Sequence, residues 1–294
     1  MIDTTTKEQI RTHLCNYCDV AGSDNKAAQK LGLNNAYVSQ IKSRKWDALS
    51  DDMWRKIAKK LDVDVADAWN YAPTLQSEGF RGIFGACRHR AIFRGVTSLS
   101  GSGKTYMLNR TRLSEPNVFY VKCIEDITKK ELYQEILLSM GKPHAKGSTL
   151  ALLKLIVAEM EKKESPLLII DEIEDCKTSV LRQLKDLYNK LEDICGTIVL
   201  GTPNLKSRIE TLRRRESLAY NQVYSRFAME FIEIPAPTAA DAAKIVRAQG
   251  ITGPATINAI VNASRDDMHG AIDFRSVKRL VEREQLLNHK EEAA

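Results

Sequence analysis

The stretch SLSGSGKT, Ser98 to Thr105, constrains the fold of this chain more than any other. It follows the apolar run AIFRGVTS and precedes a segment with helical patterning, so it sits between a strand and a helix. Glycine at positions 101 and 103 lets the backbone turn tightly, with its N–H groups pointing inward around an anion. The N-terminus of the following helix adds the positive end of its dipole. A lysine and a hydroxyl residue at the loop's end complete a phosphate-binding loop. Lys104 is expected on the β- and γ-phosphates of ATP, and the Thr105 hydroxyl on Mg²⁺. Ser98, Gly101, Ser102, Gly103 and Tyr106 join them as expected nucleotide contacts. Ser98 departs from the usual glycine at the first position, a change that is tolerable if its φ is negative.

A second half of such a site lies downstream. LLIIDE, Leu167 to Glu172, is an apolar strand ending in two carboxylates. The carboxyl ends of parallel strands are where α/β sheets bind ligands. Asp171 there can hold Mg²⁺, and Glu172 can polarise an attacking water.

The texture around these motifs is alternating. The runs AIFRGVTS, NVFYVKC, PLLIID, GTIVLGT and MEFIEI suit strands buried on both faces. KELYQEILLSMG and SVLRQLKDLYNKL between them have helical spacing. Alternation of this kind predicts βαβ units and a three-layer α/β P-loop domain with a parallel sheet over residues 91–236. Beyond that point the strands stop. TAADAAKIVRAQG, PATINAIVNAS and GAIDFRSVKRLVEREQLL predict a helical lid over 237–294, the first helix capped by Thr238 and closed by Gly250. Residues 1–71 read as short helices, and YAPTLQSEGFRG, around Pro73 and Gly79, marks 72–90 as a linker.

Within residues 1–71, NKAAQKLGLNNAYVSQIKSRK has the pattern of a helix-turn-helix. Ala28 is inside, Gly32 is at the turn, and Val38 and Ile41 form the buried face of the second helix. Asn35, Tyr37, Ser39, Gln40 and Lys42 are expected to face out, where amides and hydroxyls can read base edges of duplex DNA. Lys42, Arg44 and Lys45 are expected to hold phosphates. Charge over this segment is nearly balanced, so its affinity should be modest and sensitive to salt.

Bulk properties exclude some classes. No apolar run approaches the roughly 18 residues of a membrane helix, so no membrane partner is expected. MIDTTTKEQIRTHL lacks the apolar core of a signal peptide, which places the protein in the cytoplasm. The six cysteines do not form a disulfide framework. Cys15 and Cys18 form a CxxC without a second pair, and read as two small buried residues. The net charge of +6 permits nucleic-acid binding without requiring it.

With these residues in place, the chain resembles the AAA+ ATPases over residues 90 to 285. SLSGSGKT resembles Walker A and LLIIDE resembles Walker B. GTIVLGTPNL is similar to a sensor-1 strand, with Thr202, or alternatively Asn204, in the sensor position. Ser225-Arg226-Phe227 resembles an arginine-finger segment, and Arg275 a sensor-2 residue on the lid. YVKCIEDITKKELYQEI, AKGST, LLIIDE and VLGTPNL are similar to segments of the transposition-regulator branch, the group of phage Mu transposition protein B, TnsC and TniB. The resemblance implies an ATPase with ATP and Mg²⁺ that assembles as a homo-oligomer, a ring or helical filament, on duplex DNA. It further implies target selection for, and stimulation of, a transposase, with hydrolysis driving disassembly. It places Lys129, Lys130 and Lys146 on the DNA backbone, and gives Arg226 to the nucleotide of a neighbouring subunit. For that, the last strand is expected to lie away from the phosphate-binding loop. The run Arg213–Arg215 is left open between DNA, a neighbour and solvent. Two alternatives share parts of this pattern: a helicase loader similar to DnaC and the IstB group, and a transcriptional regulator switched by nucleotide. The retained Glu172 favours hydrolysis over a passive switch.

Overall fold

A computed structural model describes residues 4–61, 63, 69–215, 231–265 and 270–292. The chain divides into two compact units, Met1–Trp69 and Asn70–Ala294.

The first unit is all helical: α1 (Thr4–Ala21), α2 (Asp24–Leu31), α3 (Asn35–Lys42) and α4 (Asp51–Lys60). Each short helix has a local reason to start. The Ser23 side chain accepts from the Lys26 N–H, and the Asn34 side chain from the Ala36 N–H. Gly32 ends α2 in the left-handed conformation at φ +56°, which gives the turn into α3. Ile10, Leu14, Ala28, Val38, Ile41, Trp54 and Ile57 are buried and supply the core. Cys18 is buried but Cys15 only half-buried, so one of the pair departs from expectation. Burial pushes the Cys18 thiol up to about 11, the behaviour of an inert packed thiol.

The second unit is built on a parallel sheet of β1 (Phe93–Thr97), β2 (Val118–Lys122), β3 (Leu167–Asp171), β4 (Gly196–Gly201) and β5 (Phe231–Glu233), in the order β2-β3-β4-β1-β5. Alternate residues of β3 serve opposite faces. Leu168 and Ile170 pack with α7 (Lys129–Ser139), α8 (Thr149–Met160) and α9 (Thr178–Leu191). Leu167 and Ile169 pack with Phe80, Phe84, Met107 and Leu108 of α5 (Leu75–Arg90) and α6 (Lys104–Ser114). Val180, Leu181, Leu184, Leu187 and Leu191 line one stripe of α9, and all are buried. The α10 helix (Pro203–Arg215) follows β4, and α11 (Ala239–Ala248), α12 (Pro254–Ala263) and α13 (Phe274–Glu292) follow β5. The Thr238 hydroxyl accepts from the Asp241 N–H at 3.1 Å and donates to its carboxylate at 2.7 Å, so α11 starts as expected.

Two expectations fail here. Residues 72–90 are not a linker: α5 occupies most of them. Pro73 sits just ahead of a Thr74–Ser77 capping box, and Phe80, Phe84 and Cys87 put one buried face on the sheet. That face outweighs the glycines. Asn70 also belongs to the second unit, since it exchanges hydrogen bonds with Gln249 at 2.9 and 2.8 Å. Second, β5 does not lie away from the phosphate-binding strand. It pairs with β1 directly, Gly95 against Phe231 and Thr97 against Glu233. Among the described residues, no helix is long and apolar enough to cross a membrane.

Candidate functional site

Parallel strands of similar length end along one edge, and here that edge gathers Ser98, Lys122, Asp171 and Thr202 or their immediate neighbours. The loop after β1 has the conformation its glycines permit. Gly101 and Gly103 adopt φ +74° and +86°, values that side chains resist. Gly103 caps α6, so the N–H groups of the first turn open toward the loop. Ser98 needs no such freedom: it is absent from the residues with positive φ, it is buried, and its hydroxyl meets that of Ser102. A serine is therefore accommodated where a glycine is usual. The Lys104 ammonium lies 3.4 Å from the Ser98 carbonyl, inside the loop.

The residues that begin α13 meet the same loop. The Phe274 N–H donates to the Gly101 carbonyl at 2.9 Å, and the Arg275 guanidinium donates to the Ser100 hydroxyl at 3.3 Å. Asp273 fills the space a side chain at Gly101 would need, and its carboxylate accepts from the Arg275 N–H at 2.7 Å. Arg275 is thus exposed and aimed at the loop, where a guanidinium can reach bound phosphate.

On the other side stands Asp171, 3% exposed. The Glu172 N–H donates to one of its oxygens at 3.0 Å, and the Tyr120 hydroxyl to the other at 3.2 Å. Burial raises its pKa above the ordinary carboxylate value; the Lys104 charge opposes the rise and the Glu172 charge adds to it. A group whose pKa is raised on folding stabilises the fold at low pH, and that contribution is lost as pH climbs through the folded value. Asp171→Asn is therefore expected to melt a few °C above wild type at neutral pH. The gap should close as pH falls toward 3.8, the ordinary carboxylate value. Calorimetric scans across that range check both halves; a lower melting temperature at neutral pH contradicts the assignment of a burial penalty.

Glu172 leaves β3 at φ +56°, a left-handed conformation for a non-glycine residue. Its carboxylate is half-exposed and pairs with the Lys122 ammonium at 3.0 Å. Lys122, Tyr120 and Glu174 were not singled out from the sequence. The register of β2 on β3 sets Lys122 against Asp171 and Tyr120 against Ile169, and a charged residue ending the apolar run VFYVK was the available signal. Thr202 lies at the end of β4, its N–H donating to the Glu174 carboxylate at 2.6 Å. Asn204 is exposed in the first turn of α10. Thr105 and Tyr106 occupy the first turn of α6, and burial raises the Tyr106 pKa.

The donor set fits a magnesium nucleotide. It combines a backbone cradle with two left-handed glycines, an ammonium, a hydroxyl residue at a helix start and a buried carboxylate held by two donors. Arg226, with Ser225 and Phe227, lies outside the described residues.

The expected DNA contacts are only partly placed as foreseen. Asn35 and Ser39 are exposed on α3, while Tyr37 is half-buried. Among the described residues, the buried Gln40 side-chain oxygen finds no hydrogen-bond partner. The Lys42 ammonium meets Asp24 at 2.6 Å, because the first turn of α2 faces the last turn of α3. Arg44 pairs with Glu8 at 2.8 Å, and Lys45 is exposed. In the second unit, Lys129 and Lys130 are exposed in the first turn of α7, where the helix dipole disfavours cations, and Lys146 is exposed in the loop before α8. Arg214 is exposed near the end of α10.

Residues 89–209 match the family described as AAA domain. No curated protein matches the sequence. Among solved structures, the chain is similar to domain III of the Thermotoga maritima replication initiation protein DnaA: TM-score 0.44 and 20% identity over 76% of this chain and 88% of that one. It is similar to the Thermotoga maritima RuvB Holliday junction branch migration motor, with TM-score 0.44 and 16% identity over 73% and 63% of the two chains. It is also similar to the closed state of Hsp104 with ATPγS and FITC casein, with TM-score 0.45 and 14% identity over 93% and 59%. The chain spans less than two thirds of the latter two proteins. The five-stranded parallel sheet flanked by helices, with its glycine loop after β1, is an AAA+ P-loop fold.

Proposed function

We propose that this chain binds ATP with Mg²⁺ and hydrolyses it to ADP and phosphate, using the cycle to assemble as a homo-oligomer on duplex DNA and to select targets for, and stimulate, a transposase. The observation that carries the nucleotide half is that the Ser98–Thr105 loop, touched by Arg275, and the buried Asp171 with Glu172 stand at the same edge of the sheet, near enough for the Lys104 charge to act on Asp171. The match of residues 89–209 to the AAA domain supports it. In this reading Lys104 and Arg275 neutralise phosphate charge, Thr105 and Asp171 hold the metal, Glu172 accepts a proton from the attacking water, and Thr202 senses the γ-phosphate. Tyr120 and the Glu172 N–H keep the Asp171 oxygens oriented, as outer partners of metal ligands do.

The DNA half is supported by the short helices α2 and α3 joined by a turn at Gly32, an arrangement compatible with a helix-turn-helix, and by Lys129, Lys130 and Lys146 in exposed positions. The transposase half is supported by the resemblance of YVKCIEDITKKELYQEI, AKGST and VLGTPNL to the transposition regulators. Electron microscopy of the protein with a slowly hydrolysed ATP analogue tests the assembly. Continuous assemblies on duplex DNA, absent without nucleotide, are expected. Assemblies confined to single-stranded DNA favour a helicase loader and contradict the proposal, as does a nucleotide-independent pattern.

A further inference from the structure

Glu172 can act on water only if its backbone stays in the left-handed conformation it adopts, and a non-glycine residue holds that conformation only where its surroundings over-determine it. Its own N–H is fixed to the Leu200 carbonyl at 3.1 Å and to Asp171. The turn that follows, Ile173–Asp175, is a single 3₁₀ turn, closed by Asp175 N–H to Glu172 carbonyl at 3.2 Å and Cys176 N–H to Ile173 carbonyl at 3.1 Å. One short turn of this kind has little stability of its own.

Two side chains tie it to the segment after β4, in opposite directions. From α10, the Arg208 guanidinium reaches across to donate to the Glu174 carbonyl and, at 2.6 Å, to the Cys176 carbonyl. From the turn, the Glu174 carboxylate, nine-tenths buried, accepts from the Thr202 N–H at 2.6 Å. Gly201 has no side chain where the Glu174 carboxylate lies. Among the described residues only one Glu174 oxygen finds a hydrogen-bond donor, and the other is buried without a partner. A planar fork suits this bridge, since it supplies two donors in fixed geometry to two carbonyls of one turn.

We propose that Glu174 and Arg208 are positioning residues for hydrolysis: together they lock the turn carrying Glu172 and the segment carrying Thr202 into one unit. The proposal rests on the ATPase reading above, and deepens it. Neither residue is assigned a contact with the nucleotide, so the effect should fall on turnover and not on binding.

Steady-state ATP hydrolysis, nucleotide Kd and amide hydrogen exchange over residues 196–206 are to be measured on wild type, Glu174→Ala, Glu174→Gln, Arg208→Ala and Arg208→Lys. Glu174→Ala and Arg208→Ala are expected to lose about tenfold in kcat with Kd within about twofold, and to exchange faster at Thr202. Glu174→Gln keeps an oxygen for the Thr202 N–H and should stay within about threefold of wild type. Arg208→Lys has one point charge for two carbonyls and should lie between wild type and Arg208→Ala. Wild-type kcat in both alanine variants overturns the proposal, as does a loss of Kd matching the loss of kcat. Glu174→Gln as impaired as Glu174→Ala also overturns it, because the carboxylate would then act chemically. If Arg208→Ala fails to fold, the Glu174 pair decides alone. No turnover by wild type, with nucleotide and duplex DNA present, overturns the ATPase reading itself; active variants overturn only this one.

Discussion

Lys104→Ala is expected to lower ATP affinity by about a hundredfold and to abolish nucleotide-dependent DNA binding. A charge-assisted hydrogen bond to phosphate is worth up to about 3 kcal/mol, which is somewhat more than a hundredfold in Kd. The fold should barely notice, since the ammonium's recorded contact within the loop is a 3.4 Å approach to the Ser98 carbonyl. A secondary effect follows from the electrostatics. The Lys104 charge opposes the rise of the Asp171 pKa, so its removal pushes that carboxyl further up. The variant should therefore bind Mg²⁺ with nucleotide worse at acidic than at neutral pH, by more than wild type does. Equilibrium binding of a fluorescent ATP analogue measures both effects, and affinity within a few-fold of wild type removes Lys104 from the site.

Glu172→Gln is expected to leave ATP binding within about twofold and to reduce hydrolysis by about a hundredfold, the usual contribution of a positioned base. The amide keeps the shape but cannot take a proton from water. Stability should be nearly unchanged: the variant loses the Lys122 pair at 3.0 Å, but both partners are partly exposed, and such pairs contribute less than about 1 kcal/mol. Trapped in the ATP-bound state, the variant should also form longer-lived complexes with DNA. Single-turnover hydrolysis separates the chemical step from product release, and a wild-type single-turnover rate reduces Glu172 to a strand-end residue.

The parts of the candidate site legible in the sequence are those whose chemistry is local. Ser98–Thr105 and Leu167–Glu172 announce themselves because loop glycines, a lysine and paired carboxylates stand next to their own strands. The strands β1, β3 and β4 are legible as short apolar runs because they are buried on both faces, whereas the edge strands β2 and β5 are only partly buried. What the sequence hid is set by strand order and by side chains that cross between elements. Lys122 meets Glu172 only because β2 lies in register against β3. Arg208 and Glu174 meet only because α10 returns over the turn after β3. No spacing rule announces either pair. The position of β5 beside β1 is likewise a property of sheet order, and chain order pointed elsewhere. The misreading of 72–90 has a different cause: Pro73 and Gly79 drew attention from the buried stripe of Phe80, Phe84 and Cys87.

The central claim, that the loop, Asp171 and the lid enclose a magnesium nucleotide, is tested most directly by calorimetric titration of the chain with ATP, in the presence and absence of Mg²⁺. The account predicts saturable binding of one nucleotide per chain that weakens when Mg²⁺ is removed. No heat of binding at millimolar ATP with Mg²⁺ present, in a folded sample, contradicts it.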